Sequence, residues 1–184
     1  MDGLLVDRAK GTLQSMMRDR GYRDSAQGGG VSPGDGPDLC FKARGRETVS
    51  VRWLLSESKA GVREIRQLLE DMRARSANHV LLVFVKPLTT FAANELSKSE
   101  KRIELWMVDR LQYNPTLYFL TPEHRLLNQA ERKTFVEKTA VATLPKILAS
   151  DAIARWYGAK RGAIFEIRRQ SPDGFCYVVY RVVV

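Results

Sequence analysis

The chain opens with apolar residues at helical spacing: Leu5, Ala9, Leu13 and Met16. This spacing predicts an amphipathic helix, and Gly21 stands where a glycine cap would end it. A Gly/Pro/Asp-rich stretch at 25–38 follows, which suits a loop and no regular element. Two short β-prone runs, "LCFKA" and "TVSVRWLL", flank the turn-like "RGRE" and predict a hairpin.

Helices then alternate with apolar strands. One face of a predicted helix carries Val62, Ile65, Leu69 and Met72. The run "HVLLVFV" at 79–85 is continuously apolar, as expected of a central strand covered on both faces. A short helix around Phe91 and Leu96 follows, and then two more predicted strands, "RIELWMV" and "TLYFL". This order predicts an α/β layer domain over residues 1–120.

The remainder, residues 121–184, has the pattern of a small α+β domain. Asn128 and Glu131 have the spacing of a capping box, which predicts a short helix. "TLPKIL" and "SDAIARWYG" indicate two more brief helical segments. "AIFEIRR" and "FCYVVYRVVV" are joined by "SPDG", whose Ser, Pro and Gly take the positions that a type I turn prefers. We therefore predict a terminal β-hairpin.

Charge and composition narrow the classes of function. The 184 residues include 30 Lys and Arg against 21 Asp and Glu, a net charge of +9. The arginines are dispersed along the chain, which favours a folded basic surface able to approach a polyanion. No apolar run approaches the ~18 residues that span a bilayer, and the N-terminus lacks the layout of an export signal. We expect no membrane partner.

The spacing of the cysteines and histidines gives little support to a metal site or a catalytic nucleophile. Cys40 and Cys176 form no CxxC pair, which favours buried free thiols in a reducing compartment. His79 and His124 are too far apart for zinc spacing, and no Ser-His-Asp arrangement is indicated. We expect His124 to be a hydrogen-bonding residue at the start of the second domain. No cofactor, no metal and no small-molecule substrate is expected.

One pattern of an enzyme does occur, the PD-(D/E)xK letters of a nuclease, at 37–38 and 57–59. Two carboxylates, here Asp38 and Glu57, would hold a hard metal ion while a lysine orients the attacking water. The second carboxylate belongs on the strand, where this chain has "VRW" at 51–53, and Glu57 lies beyond it. We therefore expect no catalytic residues.

Basic residues gather on the predicted hairpin at Lys42, Arg44, Arg46 and Arg52. A solvated face is one account of this set, and contact with nucleic-acid phosphates is the other. Of the set, Lys42, Arg44 and Arg46 are the candidate nucleic-acid-binding residues.

The stretch "ARWYGAKRG" at 154–162 combines aromatic bulk, two glycines and a basic pair. Gly158 can take the left-handed conformation that ends a helix, and Gly162 admits close backbone approach before the next strand. Lys160 and Arg161 then lie on a tight bend. An aromatic residue beside arginine is typical of a protein–protein hot spot, but two core aromatics would give the same letters.

Several blocks of the second domain resemble one known family. "LTPEH", "LPKI", "SDAIARWYGAKRG", "RQS" and "YVVYR" occur in the order and near the spacing of the C-terminal domain of the fifth, shared subunit of eukaryotic RNA polymerases. The archaeal counterpart of this subunit, which lacks the jaw domain, belongs to the same family. "AKGTLQSMMRDRGY" and the run from "VREIRQLL" to "FAANEL" resemble, more weakly, the first helix and the jaw domain of the eukaryotic form. Ala152, Trp156 and Gln170 depart from the family pattern.

The resemblance implies a non-catalytic subunit of a multisubunit DNA-directed RNA polymerase. Its N-terminal domain would be a jaw of nuclease-like topology, without an active site, beside downstream duplex DNA. Its C-terminal domain would dock on the largest subunit, among other polymerase subunits. The location would be the nucleus, or a virus factory or virion if a large DNA virus is the source. A free-standing basic nucleic-acid-binding protein or nuclease is the alternative.

The family motif also implies a set of partner-binding residues. They are Pro122, Glu123, His124, Leu144, Pro145, Asp151, Arg155, Tyr157, Gly158, Lys160, Arg161, Gly162, Tyr180 and Arg181.

Overall fold

The computed structural model of the protein describes residues 3–24, 39–43, 48–56, 60–74 and 79–184. The chain divides into two compact units, Met1–Tyr113 and Asn114–Val184. None of the helices in the described ranges is long and apolar enough to cross a membrane.

The division between the units precedes the boundary predicted at residue 120. "TLYFL" forms no strand, so that prediction is wrong. The segment instead begins with a 3-10 turn at Pro115–Leu117, which the Asn114 side chain caps by accepting from the Thr116 amide at 2.9 Å. Proline at the first helical position fixes φ at a helical value, which favours this turn over an extended start.

The first unit is built on one five-stranded sheet. Its elements are α1 (Gly3–Asp19), β1 (Tyr22–Asp24), β2 (Leu39–Ala43), β3 (Thr48–Leu54), α2 (Val62–Ala74), β4 (His79–Phe84), α3 (Thr90–Ser97) and β5 (Arg102–Met107), followed by a 3-10 turn at Val108–Leu111. The strand order is β1-β2-β3-β4-β5. Neighbours pair antiparallel from β1 to β3 and parallel from β3 to β5. The predicted central strand is confirmed, since all six residues of β4 are buried.

A charged cluster forms around Glu104, where β4 and β5 begin. The Glu104 carboxylate lies 2.9 Å from each of three partners, the Arg20 and Arg102 guanidiniums and Nε2 of His79. Burial by itself raises the pKa of Glu104, but His79 and Arg20 together bring this pKa far below its ordinary value. His79, which opens the apolar strand β4, is thus a buried partner of a carboxylate.

The second unit is built on a four-stranded sheet. Its elements are β6 (Glu123–Leu126), α4 (Gln129–Lys138), a 3-10 turn at Val141–Thr143, β7 (Lys146–Ile147), α5 (Ala152–Trp156), β8 (Ile164–Gln170) and β9 (Cys176–Val183). The order is β6-β8-β9-β7. β8 and β9 pair antiparallel around the turn at 171–174, whereas the short β7 pairs parallel to β9.

The helix predicted from "TLPKIL" is wrong, because Lys146–Ile147 is a strand. Pro145 disfavours a helical conformation in the residue before it, and Leu144 is extended, with φ −68° and ψ 141°. The capping box predicted for α4 is present. The Glu131 amide donates to Oδ1 of Asn128, and the Asn128 amide donates to Oε2 of Glu131, each at 2.9 Å.

Candidate functional site

One face of the second sheet carries α5, which begins the stretch that sequence marks as a partner site. Asp151 caps this helix by accepting from the Ile153 amide at 2.8 Å. Ile153 and Ala154 are buried against Phe165 and Ile167 of β8. The short helix is therefore fixed at its start and along its inner side.

The two aromatics at the end of α5 pack inward. Trp156 is only 1% exposed, so it is a core residue and not an interface anchor. Tyr157 is partly buried, and its ring meets Phe165 edge-on, with ring centroids 5.8 Å apart. The core alternative therefore holds for Trp156, and Tyr157 offers a partner only part of its surface.

The bend after the helix is held at both ends by its glycines. Gly158 has φ 59° and donates to the Arg155 carbonyl, while the Ala159 amide donates to the Ala154 carbonyl at 2.9 Å. These two bonds form a Schellman motif, which confirms the predicted left-handed end of the helix. Gly162, with φ 81°, donates to the Val183 carbonyl at 2.8 Å.

A second tie reaches the bend from α4, where Nε of Arg132 donates to the Gly162 carbonyl at 2.9 Å. Lys160 and Arg161 are exposed between the two anchored glycines. Their backbone is held in place while their charged ends face water. Such a pair is pre-organised for an acidic or carbonyl-bearing partner.

His124 lies on the same face of the sheet. Its Nδ1 is 2.7 Å from the Pro122 carbonyl oxygen, so Nδ1 carries the hydrogen, and its ring meets Phe165 edge-on at 5.9 Å. Burial lowers the pKa of His124. The hydrogen bond to Pro122 and the charge of Asp151 oppose this shift, whereas Arg169 and Arg181 add to it. His124 is therefore neutral at neutral pH. This is the hydrogen-bonding role expected for it.

The opposite face carries a charge network that sequence reasoning missed. Arg125 binds Oε2 of Glu166 at 2.8 Å and Oε1 of Glu131 at 2.7 Å, and Arg168 lies 3.7 Å from Glu166. The Arg125 hydrogen bond lowers the pKa of Glu166 and, in turn, Glu166 raises the pKa of Arg125. The signal available in sequence is the alternation of side chains along β8, but it identifies partners only once the register with β6 is known.

The register divides the predicted partner residues between the two faces. His124 lies opposite Ile167, and Arg181 lies opposite Phe165, on the face that α5 covers. Glu123 lies opposite Arg168 and Tyr180 opposite Glu166, on the other face. There the Tyr180 ring contacts Phe135 of α4 in a tilted arrangement, with ring centroids 4.5 Å apart, and its hydroxyl lies 3.5 Å from Glu166.

The remaining predicted partner residues lie near the bend and near β7. Arg155 is half-buried on α5. Leu144 and Pro145 lead into β7, where the Pro145 carbonyl accepts from the Val182 amide at 3.0 Å. The structure therefore brings together His124, Asp151, Arg181 and the bend, and it leaves Glu123 and Tyr180 apart from them.

Several predictions for the first unit fall outside the described residues. These include the side chain of Lys42, the residues Arg44 and Arg46, and the nuclease-like letters at 38 and 57–59. Arg52 is described and is 5% exposed, so the grouping of Arg52 with a basic surface is wrong. Arg52 lies opposite Leu82 of β4, which is also buried.

The expectation of two buried thiols is also wrong in part. Cys176 is exposed on β9 and Cys40 is partly buried on β2. In the part of the chain that the structure describes, no three His, Cys, Asp or Glu residues are placed to hold a metal ion together.

Comparison with known proteins identifies the second unit. Residues 113–183 match the family model described as RNA polymerase Rpb5, C-terminal domain. A Dictyostelium discoideum relative, "DNA-directed RNA polymerases I, II, and III subunit rpabc1", is 33% identical over 132 residues, or 68% of this chain and 67% of the relative. The chain belongs to the Rpb5 family of RNA polymerase subunits.

Two further relatives show how the likeness is distributed along this Rpb5-family chain. The Pyrococcus abyssi "DNA-directed RNA polymerase subunit Rpo5" is 44% identical over 80 residues, which are 42% of this chain but 98% of the relative. The Caenorhabditis elegans subunit RPABC1 is 24% identical over 199 residues, covering 96% of this chain and 94% of the relative. Residues 8–113 match a family model described as restriction endonuclease. This match agrees with the nuclease-like topology expected of the first unit.

Proposed function

We propose that this protein is a non-catalytic subunit of a multisubunit DNA-directed RNA polymerase, and that its second unit docks on the largest subunit. The observation that carries the proposal is the match to archaeal Rpo5. The 80 aligned residues make up 98% of that protein's length. The C-terminal family model lies on the same part of this chain, at 113–183. Since a polymerase subunit can consist of little more than this unit, the capacity to join a polymerase is assigned to it.

Within the second unit, the bend at 158–162 is the best-supported docking element. Arg161 and Lys160 project from a backbone fixed by the Schellman motif and by the Gly162–Val183 hydrogen bond. Ordering a loop on binding costs conformational entropy, and this bend is ordered beforehand. Gly158 and Tyr157 then act by positioning Arg161, and Asp151 acts by holding α5.

The first unit serves, in this proposal, as a jaw beside downstream duplex DNA. The net charge of +9 and the basic residues Lys42, Arg44 and Arg46 support contact with phosphates, which would be independent of sequence. The relatives that are subunits of eukaryotic polymerases support a nuclear location.

The test is capture of the largest subunit by the tagged full-length chain after co-expression. We expect Arg161→Ala to reduce capture while its melting temperature stays that of the wild type, because the side chain is exposed. The matched control is Lys133→Ala, which removes an exposed cation from α4 outside the bend. Equal capture by Arg161→Ala and wild type would remove the bend from the interface. Failure of the wild type to capture any polymerase subunit would refute the proposed function itself.

A second candidate, a free-standing nuclease, is favoured only by the restriction-endonuclease match of the first unit. Against it, Val51 and Trp53 are buried on β3, where a second carboxylate would have to lie. We expect the purified chain not to cleave DNA in the presence of Mg²⁺. Cleavage that Asp38→Ala or Glu57→Ala abolishes would establish the nuclease instead.

A further inference from the structure

β9 is left without a neighbour along most of one side, among the described strands. It has eight residues, Cys176–Val183, and β8 pairs with one side of it from Cys176 to Val182. On the other side β7 pairs only with Val182 and Val183. We call the side of residues 176–181 that faces away from β8 the open edge. At ~3.3 Å per residue it is about 20 Å long.

The direction of the backbone groups shows what the open edge presents. The Val182 amide donates to the Pro145 carbonyl on the β7 side, whereas the Val183 amide donates to the Ala163 carbonyl at the base of β8. Because bonding direction alternates along a strand, Cys176, Val178 and Tyr180 point their N–H and C=O groups towards the open edge. Among the described residues, no backbone group pairs with them there.

Four of the six residues of the open edge, the tyrosines and valines of "CYVVYR", are of types that favour strands. Proteins usually protect a free edge with proline, lysine, a bulge or a covering element. The open edge contains neither proline nor lysine. Tyr177 and Val178 are each 47% exposed, and Phe175 at the hairpin tip is 75% exposed. A long apolar edge of this kind would aggregate if water were its permanent neighbour.

We propose that the open edge receives an extended segment of another polymerase subunit, which adds a strand to the sheet in line with β7. This inference rests on the proposed function, because it takes the partner to be a polymerase subunit. The chemistry of the segment follows from the side chains around it. Apolar residues would meet Tyr177 and Val178 near the hairpin tip, and acidic residues would meet Arg181 and Lys146 near β7.

A second copy of this chain fits the open edge less well. Residues 114–184 contain eleven Lys and Arg against six Asp and Glu, so two copies would bring like charges together. Arg181, which lies on the open edge itself, has no acidic neighbour on the edge to pair with in an opposing copy. Charge complementarity therefore favours a segment of different sequence.

The first experiment compares Val178→Pro with Val178→Thr in the full-length chain. Proline removes an N–H that points outward and adds ring atoms at the open edge, and edge strands tolerate it where the N–H faces solvent. Threonine keeps both the β-branched shape and the N–H. We expect Val178→Pro to lower the affinity for the polymerase by about tenfold or more, Val178→Thr to bind like the wild type, and all three to melt alike. Wild-type affinity in a folded Val178→Pro protein would overturn the inference.

The second experiment does not depend on how the proline variant folds. Amide hydrogen exchange is measured residue by residue for the free wild-type chain and for the assembled polymerase. We expect the amides of Cys176, Val178 and Tyr180 to be protected only in the assembly. The amides of Tyr177 and Val179, which face β8, should be protected in both states.

The outcomes separate this inference from the proposed function. If the chain assembles but the three outward amides exchange as fast as in the free chain, the strand addition is wrong and the polymerase function stands. If protection already arises in the free chain as its concentration is raised, a second copy is the occupant and the inference is overturned. If no polymerase assembles with the wild type, both fail together.

Discussion

Replacing glycine by alanine should have opposite effects on stability at two positions, Gly158 at the left-handed end of α5 and Gly11 inside α1. Gly158 has φ 59°, a region in which a Cβ atom costs about 1–2 kcal/mol per residue. Gly158→Ala should therefore destabilise the second unit by about that amount. Gly11, in contrast, lies inside α1, and a Cβ built there meets no atom within 4 Å. Gly11→Ala should stabilise the first unit by about 0.5–1 kcal/mol, because alanine loses less backbone entropy in a helix.

The assay must read the two units separately. Hydrogen exchange of the most protected amides gives the free energy of unfolding of each unit in the full-length chain. For a domain of 60–100 residues, 1 kcal/mol corresponds to about 4–8 °C in melting temperature, so a thermal melt gives an independent check. A Gly158→Ala protein whose second unit is as stable as the wild type would refute the assignment of strain to this position. A loss at Gly11 as large as that at Gly158 would point to a general effect of the methyl group.

The remaining predictions concern charge in the first unit. Glu104→Gln should destabilise this unit by about 3–5 kcal/mol in urea unfolding at pH 7, because the buried guanidinium of Arg20 loses its carboxylate; Glu95→Gln, at an exposed ion pair, is the matched control. The pKa of Glu104 is depressed in the folded state, so its contribution is present above the ordinary carboxyl pKa and is lost as the pH falls below it. The wild type should therefore lose stability in acid more steeply than Glu104→Gln, and parallel pH profiles would contradict this. Replacement of Lys42, Arg44 and Arg46 by alanine should weaken retention of DNA by the assembled polymerase equally on all templates and flatten its salt dependence, whereas an unchanged salt slope would indicate a solvated face.

Local signals in the sequence predicted the elements whose stabilising contacts are themselves local. The capping box of α4 needs only Asn128 and Glu131, and the end of α5 needs only Gly158 and its neighbours. The burial of β4 follows from its unbroken apolar run. These patterns suffice because the partners lie within a few residues of one another.

The elements that sequence missed depend on distant partners. β1 has three residues and pairs with β2, which follows it only after residues 25–38, and β7 has two residues and pairs with β9. Neither strand is long enough to show a period. "TLYFL" was predicted as a strand because its residues favour one, but a strand also needs a partner. No strand of the described chain pairs with this segment, and Leu117 and Phe119 are 80% and 84% exposed.

The candidate site was predicted as a list of residues and not as a surface. The family motif names Glu123 and His124, or Tyr180 and Arg181, as adjacent letters. In a strand, adjacent side chains point to opposite faces, so each of these pairs is divided by the sheet. Which member of a pair shares a surface with Arg161 depends on the register of β6, β8 and β9, and no local pattern contains that register.

The anchoring of the bend also determines how the second unit would bear a mechanical load. A partner that pulls on Arg161 transmits the force to the adjacent Gly162, whose amide is bonded to Val183, and Val183 is bonded in turn to Ala163. The load then reaches β8 and β9, which are paired with each other from Ile164–Val182 to Gln170–Cys176. The five-residue helix α5 bears little of it. Tension applied through this bend would therefore be carried by the sheet and not by the short helix, and the attachment would last as long as the non-covalent contact with the partner.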